Sequence, residues 1–279
     1  MKKVCVIGWP VAHSRSPLIH NYWLKKYGLP GTYERREVSP DQLDTFLQNL
    51  EANGYVGCNV TIPHKEVALR TIKNIDDLVR RIGSLNTIYM QDGHMRATST
   101  DGDGFYQNLL ASVPGLSLSG KRAIVLGAGG SAKAIIERLL RTGMAEILVL
   151  NRTLERIDEL KAVFGPTIKS LSQDHFVTES ITASLLVNTT SQGMQGQPPL
   201  HIDIRQLPAH AVVSDLVYVP LKTELLKAAA ARGLRNVGGL GMLLHQAVNG
   251  FEKWFGIRPE VTPELFQLVA RDVDPEFKL

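Results

Sequence analysis

Apolar residues along the first hundred positions follow two different periods. Short apolar runs at residues 4–8 and 57–62 predict buried strands, and residues 32–38 alternate as a half-buried strand does. Residues 16–27 have a helical pattern and open with Ser16 followed by Pro17, a common helix start. Because strands and helices alternate, the pattern predicts a mostly parallel α/β sheet with helical crossovers.

Local signals add two helices and a hairpin to this half. A cap at Ser39 predicts a helix through residue 53, and Pro63 predicts a helix that carries Lys65 in its first turn. A cation there opposes the helix dipole, at a cost of up to about 1 kcal/mol, which hints at a functional role. Asp92 and Gly93 lie between two strand-like runs, residues 87–91 and 94–99, and strongly predict a hairpin.

A second α/β pattern begins after a linker-like stretch at residues 112–120. Further apolar runs predict strands at residues 122–126, 146–150, 185–188, 211–216 and 235–237. Helical patterns separate or follow them at residues 131–142, 154–164, 221–232, 242–255 and 263–271. We therefore expect two α/β domains flanking a cleft. The first is a substrate domain of residues 1–103 completed by residues 242–279, and the second is a Rossmann-like domain of residues 104–241.

Composition and charge exclude several classes of protein. A chain of 279 residues has room for about two domains, and 44% hydrophobic with 21% charged residues is ordinary for a globular protein. The net charge of +4 is not gathered into a basic tract, so we expect no nucleic-acid partner. No apolar stretch approaches the roughly 20 residues of a membrane helix, and the first apolar run is too short for a signal peptide.

The two cysteines, Cys5 and Cys58, lie in apolar runs typical of buried strands. A disulfide framework needs more cysteines, so we expect a cytoplasmic protein with no membrane partner. No set of His, Cys, Asp and Glu has the spacing of metal ligands, so we expect no metal site. The sequence leaves open whether the chain is a monomer or a homodimer.

A glycine-rich loop is the clearest local motif. It runs Gly127, Ala128, Gly129, Gly130, Ser131, Ala132, follows a predicted strand and opens a predicted helix. In this context the pattern is typical of dinucleotide binding, because the helix N-terminus offers N–H groups to a pyrophosphate that the small residues allow to approach. The alternative is a glycine-rich turn that binds nothing.

The end of the next strand indicates which dinucleotide is bound. NAD-specific sites place Asp or Glu there, whereas this chain has Asn151, Arg152 and Thr153, with Arg156 one turn later. An arginine fork can pair with a 2′-phosphate, so NADP (NADPH) is the predicted cofactor. The alternative is an exposed arginine at a strand end.

Polar clusters follow several strands of the first domain, where open α/β sheets bind ligands. Each has an ordinary structural explanation: Ser14 and Ser16 as helix caps, Asn86 in a turn, and Asp101 as the N-cap of the next helix. Taken together, the clusters occur in a recognisable order. They read Ser-x-Ser-Pro from residue 14, Asn-Val-Thr-Ile-Pro-His-Lys from residue 59, Asn-Thr from 86, Thr-Asp-Gly from 100, Asn-Arg-Thr from 151, Asn-Thr-Thr from 188 and Gly-Met-Leu-x-x-Gln from 241.

With the glycine-rich loop, this order resembles the shikimate dehydrogenases over nearly the whole chain. The resemblance implies NADPH-dependent, reversible reduction of 3-dehydroshikimate to shikimate, on the route to aromatic amino acids. It implies that Lys65 and Asp101 are the catalytic pair. It implies substrate contacts from Ser14, Ser16, Thr61, Asn86, Tyr218 and Gln246. It implies cofactor contacts from Gly127, Ala128, Gly129, Gly130, Ser131, Ala132, Asn151, Arg152, Thr153, Arg156, Leu216 and Gly239.

The residue types suit this chemistry. A ring ketone that accepts hydride gains negative charge on oxygen and needs a proton, which the ammonium of Lys65 can donate. A neighbouring carboxylate such as Asp101 stabilises the ammonium form, which suits reduction and leaves open how Lys65 acts as a base in reverse. Hydroxyls of Ser14, Ser16 and Thr61 can bind a carboxylate through neutral donors. The amides of Asn86 and Gln246 offer a donor and an acceptor to ring hydroxyls.

Three departures from the family pattern touch neighbours of the site residues. Ser99 and Val219 stand where the family has Asn, and Ser84-Leu85 replaces Ala-Val. They leave open a quinate/shikimate dehydrogenase, although Ser16 favours shikimate because quinate-preferring members often carry Thr there. An alternative of another class is a non-catalytic NADP-binding sensor, against which the retention of Lys65 and Asp101 argues. A scaffold protein is disfavoured by the number of polar residues at one site.

Overall fold

A computed structural model describes residues 1–278 as two α/β units. The strands are β1 (Lys2–Gly8), β2 (Gly31–Glu37), β3 (Tyr55–Val60), β4 (Asn74–Ile75), β5 (Thr87–Gln91), β6 (His94–Thr98), β7 (Arg122–Leu126), β8 (Glu146–Leu150), β9 (Ile168–Ser170), β10 (Leu185–Asn188), β11 (Val212–Asp215) and β12 (Arg235–Val237). The helices are α1 (Ser16–Lys26), α2 (Leu43–Gln48), α3 (Asp77–Ile82), α4 (Asp101–Ser112), α5 (Gly130–Leu140), α6 (Leu154–Phe164), α7 (Phe176–Ser180), α8 (Glu224–Ala231), α9 (Gly239–Phe255) and α10 (Pro263–Val273). None of the helices within residues 1–278 is long and apolar enough to cross a membrane.

The first sheet has the strand order β2-β1-β3-β5-β6-β4. It is mostly parallel, as predicted: three of its five strand pairs are parallel, and among its six strands β5 alone runs opposite to the others. Strand β1 runs parallel to β2 and β3, whereas β5 and β6 form an antiparallel hairpin on β3. The hairpin prediction is confirmed: Asp92 and Gly93 both have positive φ, 53° and 72°, as a two-residue type I′ turn requires. Because β5 runs backwards, its start lies at the same edge as the ends of β1, β3 and β6.

The second sheet is entirely parallel, with the order β12-β11-β10-β7-β8-β9. Counted from β7, this is the order 6-5-4-1-2-3, which is that of a doubly wound dinucleotide-binding sheet. The order reverses between β7 and β10, and ligands of such sheets bind at the carboxyl ends of the strands beside this point. The second unit is therefore Rossmann-like.

Each unit contains two separate segments of the chain. Residues 1–101 and 243–269 form the first unit, and residues 102–242 and 270–278 form the second. The last boundary between the units falls between Val269 and Ala270. That division falls inside α10, where an unbroken helical pattern carries no linker signal.

The helix predicted from Pro63 is wrong. Residues 61–66 form turns, and only Val67–Arg70 form a short 3₁₀ helix. The carbonyl of Lys65 bonds to another segment rather than to the next turn, since it accepts from the N–H of Leu85 at 2.9 Å. Lys65 is therefore not in the first turn of a helix, and the dipole argument for it does not apply. The helix predicted through residue 53 is also shorter and ends at Gln48.

A buried aromatic cluster in the first unit surrounds His20. Its ring stacks on Tyr33 with centroids 4.1 Å apart and meets the edges of Trp23 and Trp254. Within the described residues neither ring nitrogen of His20 has a hydrogen-bond partner. Burial lowers the pKa of His20 to about 3, so the folded protein holds this imidazole neutral.

His20→Phe is expected to make the protein more resistant to acid. Below about pH 6.5 His20 is protonated in the unfolded chain but not in the folded protein. The unfolding free energy of the wild type therefore decreases as the pH is lowered. Between pH 7 and pH 5 this one group removes about 2 kcal/mol of unfolding free energy, and phenylalanine abolishes that loss. Urea unfolding of both proteins at the two pH values checks this, with the exposed His94→Gln as control. An equal loss of stability in wild type and His20→Phe would contradict the assignment.

Candidate active site

The ends of three strands and the start of a fourth bring the first-unit polar residues to one edge of the sheet. Asn59 in β3 pairs in register with Thr87 in β5, which pairs in turn with Thr98 in β6. Asn86 therefore precedes β5 at the edge where Asp101 follows β6. Thr61 follows β3 at that edge, and its N–H donates to the carbonyl of Ile7 in β1.

Lys65 and Asp101 form an ion pair at this edge. The Lys65 Nζ donates to Asp101 Oδ2 at 2.5 Å, with 17% of the lysine and 7% of the aspartate side chain exposed. The other oxygen, Oδ1, accepts from Asn86 Nδ2 at 2.8 Å. Both carboxylate oxygens thus bond to site residues, and the prediction that Asp101 serves only as a helix cap is not supported.

His64 fixes the turn that carries Lys65. Its ring is almost fully buried, and Nε2 lies 2.7 Å from the carbonyl of Val38. Because a carbonyl only accepts, Nε2 must carry the proton in this contact. Together with the backbone bond from Leu85 to Lys65, this anchors the lysine from both sides along the chain.

The side-chain amide of Asn86 forms hydrogen bonds with several residues of the site. Its Oδ1 accepts from the backbone N–H of Thr100 at 2.9 Å, which fixes the orientation of the amide because an N–H only donates. The Nδ2 group therefore faces three acceptors, on Thr100, Asp101 and Gln246, at 3.0, 2.8 and 3.2 Å. Gln246 in α9 in turn donates from Nε2 to the carbonyl of Leu243 at 3.0 Å.

Ser14 lies between β1 and α1, and Ser16 is the first residue of α1. The N-cap of α1 is Arg15, and no side chain caps the helix, so neither serine has the capping role considered from sequence. Ser14 Oγ instead accepts from the N–H of Ser16 at 3.3 Å. Burial raises the pKa of Tyr33, and the hydroxyl of Ser16 opposes this effect.

Sequence reasoning did not assign Tyr33 and Asn59 to the site. The Tyr33 hydroxyl donates to Asn59 Oδ1 at 2.6 Å, and Asn59 Nδ2 donates to the carbonyl of Asn86 at 3.0 Å. A buried chain of hydrogen bonds thus links Tyr33 through Asn59 to Asn86. The available signal for Asn59 was its place in the Asn-Val-Thr cluster, whereas Tyr33 lies in an alternating strand and gave none.

The glycine-rich loop joins β7 to α5 as predicted. Gly127 has φ of 105°, and a Cβ there would lie 2.7 Å from Thr189 Oγ1, so only glycine fits. Gly129 is the N-cap of α5, with no side-chain cap and no acidic residue in the first turn of the helix. A Cβ on Gly129 would meet nothing within 4 Å, which leaves room beside the free N–H groups. This cradle fits a phosphate group.

Arg152 and Arg156 are exposed beyond the carboxyl end of β8. Within residues 1–278 neither guanidinium has a carboxylate partner, and Asn151 uses Nδ2 to bond the carbonyl of Thr153 at 2.8 Å. Two positive charges without partners near the N-terminus of α6 fit a 2′-phosphate.

A buried carboxylate, Asp215, organises the remaining loops of the second sheet. Asp215 accepts from Asn188 Nδ2 at 2.9 Å, from Thr223 at 2.7 Å and from the N–H of Val217 at 3.0 Å. Burial raises its pKa despite these bonds. The network holds the segment with Leu216 and Tyr218, both half-buried.

The same segment closely approaches the start of α9. A Cβ on Gly239 would lie 2.0 Å from the carbonyl oxygen of Leu216, so the backbones touch there. The structure thus places Leu216, Tyr218 and Gly239 beside the carboxyl ends of β11 and β12. Within residues 1–278 no three His, Cys, Asp or Glu side chains could hold a metal ion.

Three family models match the chain. The shikimate dehydrogenase substrate binding domain matches residues 6–88, shikimate / quinate 5-dehydrogenase matches residues 109–195, and the shikimate 5′-dehydrogenase C-terminal domain matches residues 239–263. Together they span both units.

Two curated relatives and two solved structures show the extent of the similarity. A shikimate dehydrogenase (NADP(+)) of Rhodopseudomonas palustris is 52% identical, covering 99% of this chain and 98% of that protein. One of Nitrobacter hamburgensis is 52% identical, covering 98% and 95%. The Thermus thermophilus shikimate 5-dehydrogenase in complex with NADP(H) and shikimate superposes with a TM-score of 0.86 at 34% identity, covering 98% and 100%. The Corynebacterium glutamicum quinate dehydrogenase in complex with NAD superposes with a TM-score of 0.87 at 27% identity, covering 96% and 98%. The chain belongs to the shikimate dehydrogenase family.

Proposed function

We propose that the chain is an NADP-dependent shikimate dehydrogenase, which reversibly reduces 3-dehydroshikimate to shikimate in aromatic amino-acid biosynthesis. The observation that carries the proposal is the Lys65–Asp101 ion pair, 2.5 Å long and held by Asn86 at one edge of the sheet. Relatives 52% identical over nearly their full length bear the name of this enzyme. For its location we propose the cytoplasm.

Lys65 is the proton donor in the proposed mechanism. The ketone oxygen gains negative charge during reduction, and a positioned acid that protonates it lowers the barrier. Within the described residues the ammonium uses one of its three N–H bonds, toward Asp101. The other two can reach a ligand because the side chain is partly exposed. Asp101 keeps the amine in place and accepts a bond from a substrate hydroxyl.

The substrate is held by neutral polar groups. The hydroxyls of Ser14, Ser16 and Thr61 bind its carboxylate, and the amides of Asn86 and Gln246 bind its ring hydroxyls. The buried chain from Tyr33 through Asn59 to Asn86 supports this division, since it ties strand β2 to the residue that binds the ring hydroxyls. A site of this kind rejects analogues that lack a hydroxyl, because its own polar groups are then left unpaired.

NADPH, when bound, supplies the hydride. The cradle at Gly127–Ala132 would hold its pyrophosphate, and Arg152 with Arg156 would hold its 2′-phosphate. The free N–H groups at the start of α5 and the two guanidinium groups without carboxylate partners support this arrangement.

Arg152→Ala is expected to raise the KM for NADPH at least tenfold while the KM for NADH changes less than twofold. Removing a charge-assisted contact to phosphate costs about 1.5–3 kcal/mol of binding free energy. NADH has no 2′-phosphate, so the substitution removes no such contact from its complex. Steady-state kinetics with both cofactors measure the two values. The exposed Arg205→Ala, whose wild-type side chain pairs with Asp203, serves as control. Equal changes for the two cofactors would refute the 2′-phosphate contact.

The proposed function is tested by NADP⁺ reduction at 340 nm with shikimate and quinate in parallel. We expect turnover with shikimate and a much lower kcat/KM with quinate. A quinate/shikimate dehydrogenase is the second candidate, because a quinate dehydrogenase shares the fold at 27% identity. Comparable kcat/KM values would establish it instead, and the absence of turnover with either polyol would favour a non-catalytic NADP-binding sensor.

A further inference from the structure

An arginine of the edge strand β2 donates two hydrogen bonds to the loop that carries Ser14. Arg35 donates from Nε and from Nη2 to the carbonyl oxygen of Ser14, at 2.9 and 2.6 Å. In register, Arg35 lies opposite Val6 in β1, so its side chain reaches along the sheet to the loop that follows β1. Neither composition nor spacing predicted this contact, because the side chain is exposed and belongs to an alternating strand.

The contact fixes a segment that has little regular structure of its own. Between β1 and α1, the N–H of Ser14 donates to the carbonyl of Val11 at 3.0 Å, and the N–H of Ser16 donates to Ser14 Oγ at 3.3 Å. A guanidinium that bonds one carbonyl through two N–H groups restricts both the position and the direction of that peptide. The Ser14 side chain projects from this restrained residue.

The charge of Arg35 has no internal counter-charge. Within residues 1–278 no carboxylate lies within ion-pair distance of it, whereas its neighbour Arg36 lies 3.9 Å from Glu34. A positive charge thus stays next to Ser14, one of the residues proposed to receive the substrate carboxylate. A positive charge beside neutral hydroxyl donors favours an anion over a neutral group of similar shape.

We propose that Arg35 makes this subsite selective for a carboxylate, by holding the Ser14 peptide in place and by supplying the positive charge that the serine hydroxyls lack. Arg35 is a positioning residue and takes no part in hydride or proton transfer. The inference rests on the proposed function, since it assigns the substrate carboxylate to the loop of Ser14 and Ser16.

The test compares Arg35→Gln, Arg35→Lys and the control Arg36→Gln. Kd values for shikimate and for its uncharged methyl ester are measured by calorimetry, and KM and kcat for shikimate at low and high salt. For Arg35→Gln we expect Kd and KM for shikimate to rise about tenfold, with kcat within twofold and the ester affected less than threefold. The variant also loses most of the salt dependence of KM that the wild type shows. Arg35→Lys keeps the positive charge but loses the planar guanidinium that donates two hydrogen bonds. Its Kd and KM for shikimate should lie between those of the wild type and of Arg35→Gln.

Three results would overturn the inference: an unchanged Kd for shikimate, equal rises for shikimate and its ester, or the same rise in Arg36→Gln. A purely structural role of Arg35 predicts the second of these. Calorimetry needs no turnover, so it separates this inference from the proposed function. If the wild type bound shikimate but did not oxidise it, the proposed dehydrogenase activity would be refuted. The Kd values of the variants for shikimate and its ester, relative to the wild type, would still decide the role of Arg35.

Discussion

Lys65→Ala is expected to lower kcat about a thousandfold while changing the KM for shikimate less than fivefold. General acid–base groups contribute about 10²–10⁴ to rate, and alanine has no group that could donate the proton. Its Nζ is the group that bonds Asp101 at 2.5 Å, and the turn that carries it is anchored through His64 and Leu85. Truncating the side chain therefore removes the proton donor and leaves the loop in place.

Initial rates in both directions and the stability of the variant separate chemistry from folding. Lys73→Ala is the matched control, because Lys73 is exposed and lies shortly after the same loop. It should keep wild-type kcat. Turnover of Lys65→Ala within tenfold of wild type would refute the acid–base role, and so would a large rise in KM at constant kcat.

Asn86→Ala is expected to have the second largest effect and to act on both stability and activity. The truncation leaves the buried N–H of Thr100 and one oxygen of Asp101 without their partners. Leaving such groups unpaired costs about 1–3 kcal/mol each, so unfolding free energy should fall by about 3 kcal/mol. The loss of orientation at Asp101 should lower kcat/KM at least a hundredfold.

Urea unfolding and steady-state kinetics, at a temperature where the variant stays folded, measure these two effects. Asn49→Ala is a suitable control, since that amide lies on the surface and bonds the carbonyl of Thr45, one turn earlier. A variant with near wild-type stability would show that the hydrogen bonds around Asn86 contribute little. Near wild-type kcat/KM would show that they do not position Asp101.

The parts of the fold that depend on local signals were predictable from the sequence. Strands β7, β8 and β10 and helix α6 have the predicted bounds, because their apolar patterns are long and end in clear turn residues. The glycine-rich loop was also predictable from local signals. Gly127 has a positive φ that favours glycine, and Gly129 is the N-cap of α5. The hairpin at Asp92-Gly93 also follows from local chemistry.

The parts that depend on contacts between distant segments were not predictable. Pro63 opens a turn, because the carbonyl of Lys65 bonds to Leu85 in another segment. The strand β4 has two residues and the helix α3 has six, and both are too short to show a period along the chain. Tyr33 and Arg35 lie next to the serine loop only because β2 pairs with β1, and sequence alone gives no register between them.

The antiparallel hairpin of the first sheet also sets the entropic cost of assembling the site. Asn86 and Thr100 are separated by 14 residues, and the turn at Asp92-Gly93 brings them together, whereas Asn86 and Gln246 are separated by 160 residues. For a flexible chain, closing the longer loop costs about 2 kcal/mol more than closing the shorter one. Asn86 and Asp101 are thus close in sequence, and the hairpin of β5 and β6 alone brings them together. Gln246 depends on the docking of α9, so loosening that helix would release the glutamine and leave the ion pair assembled.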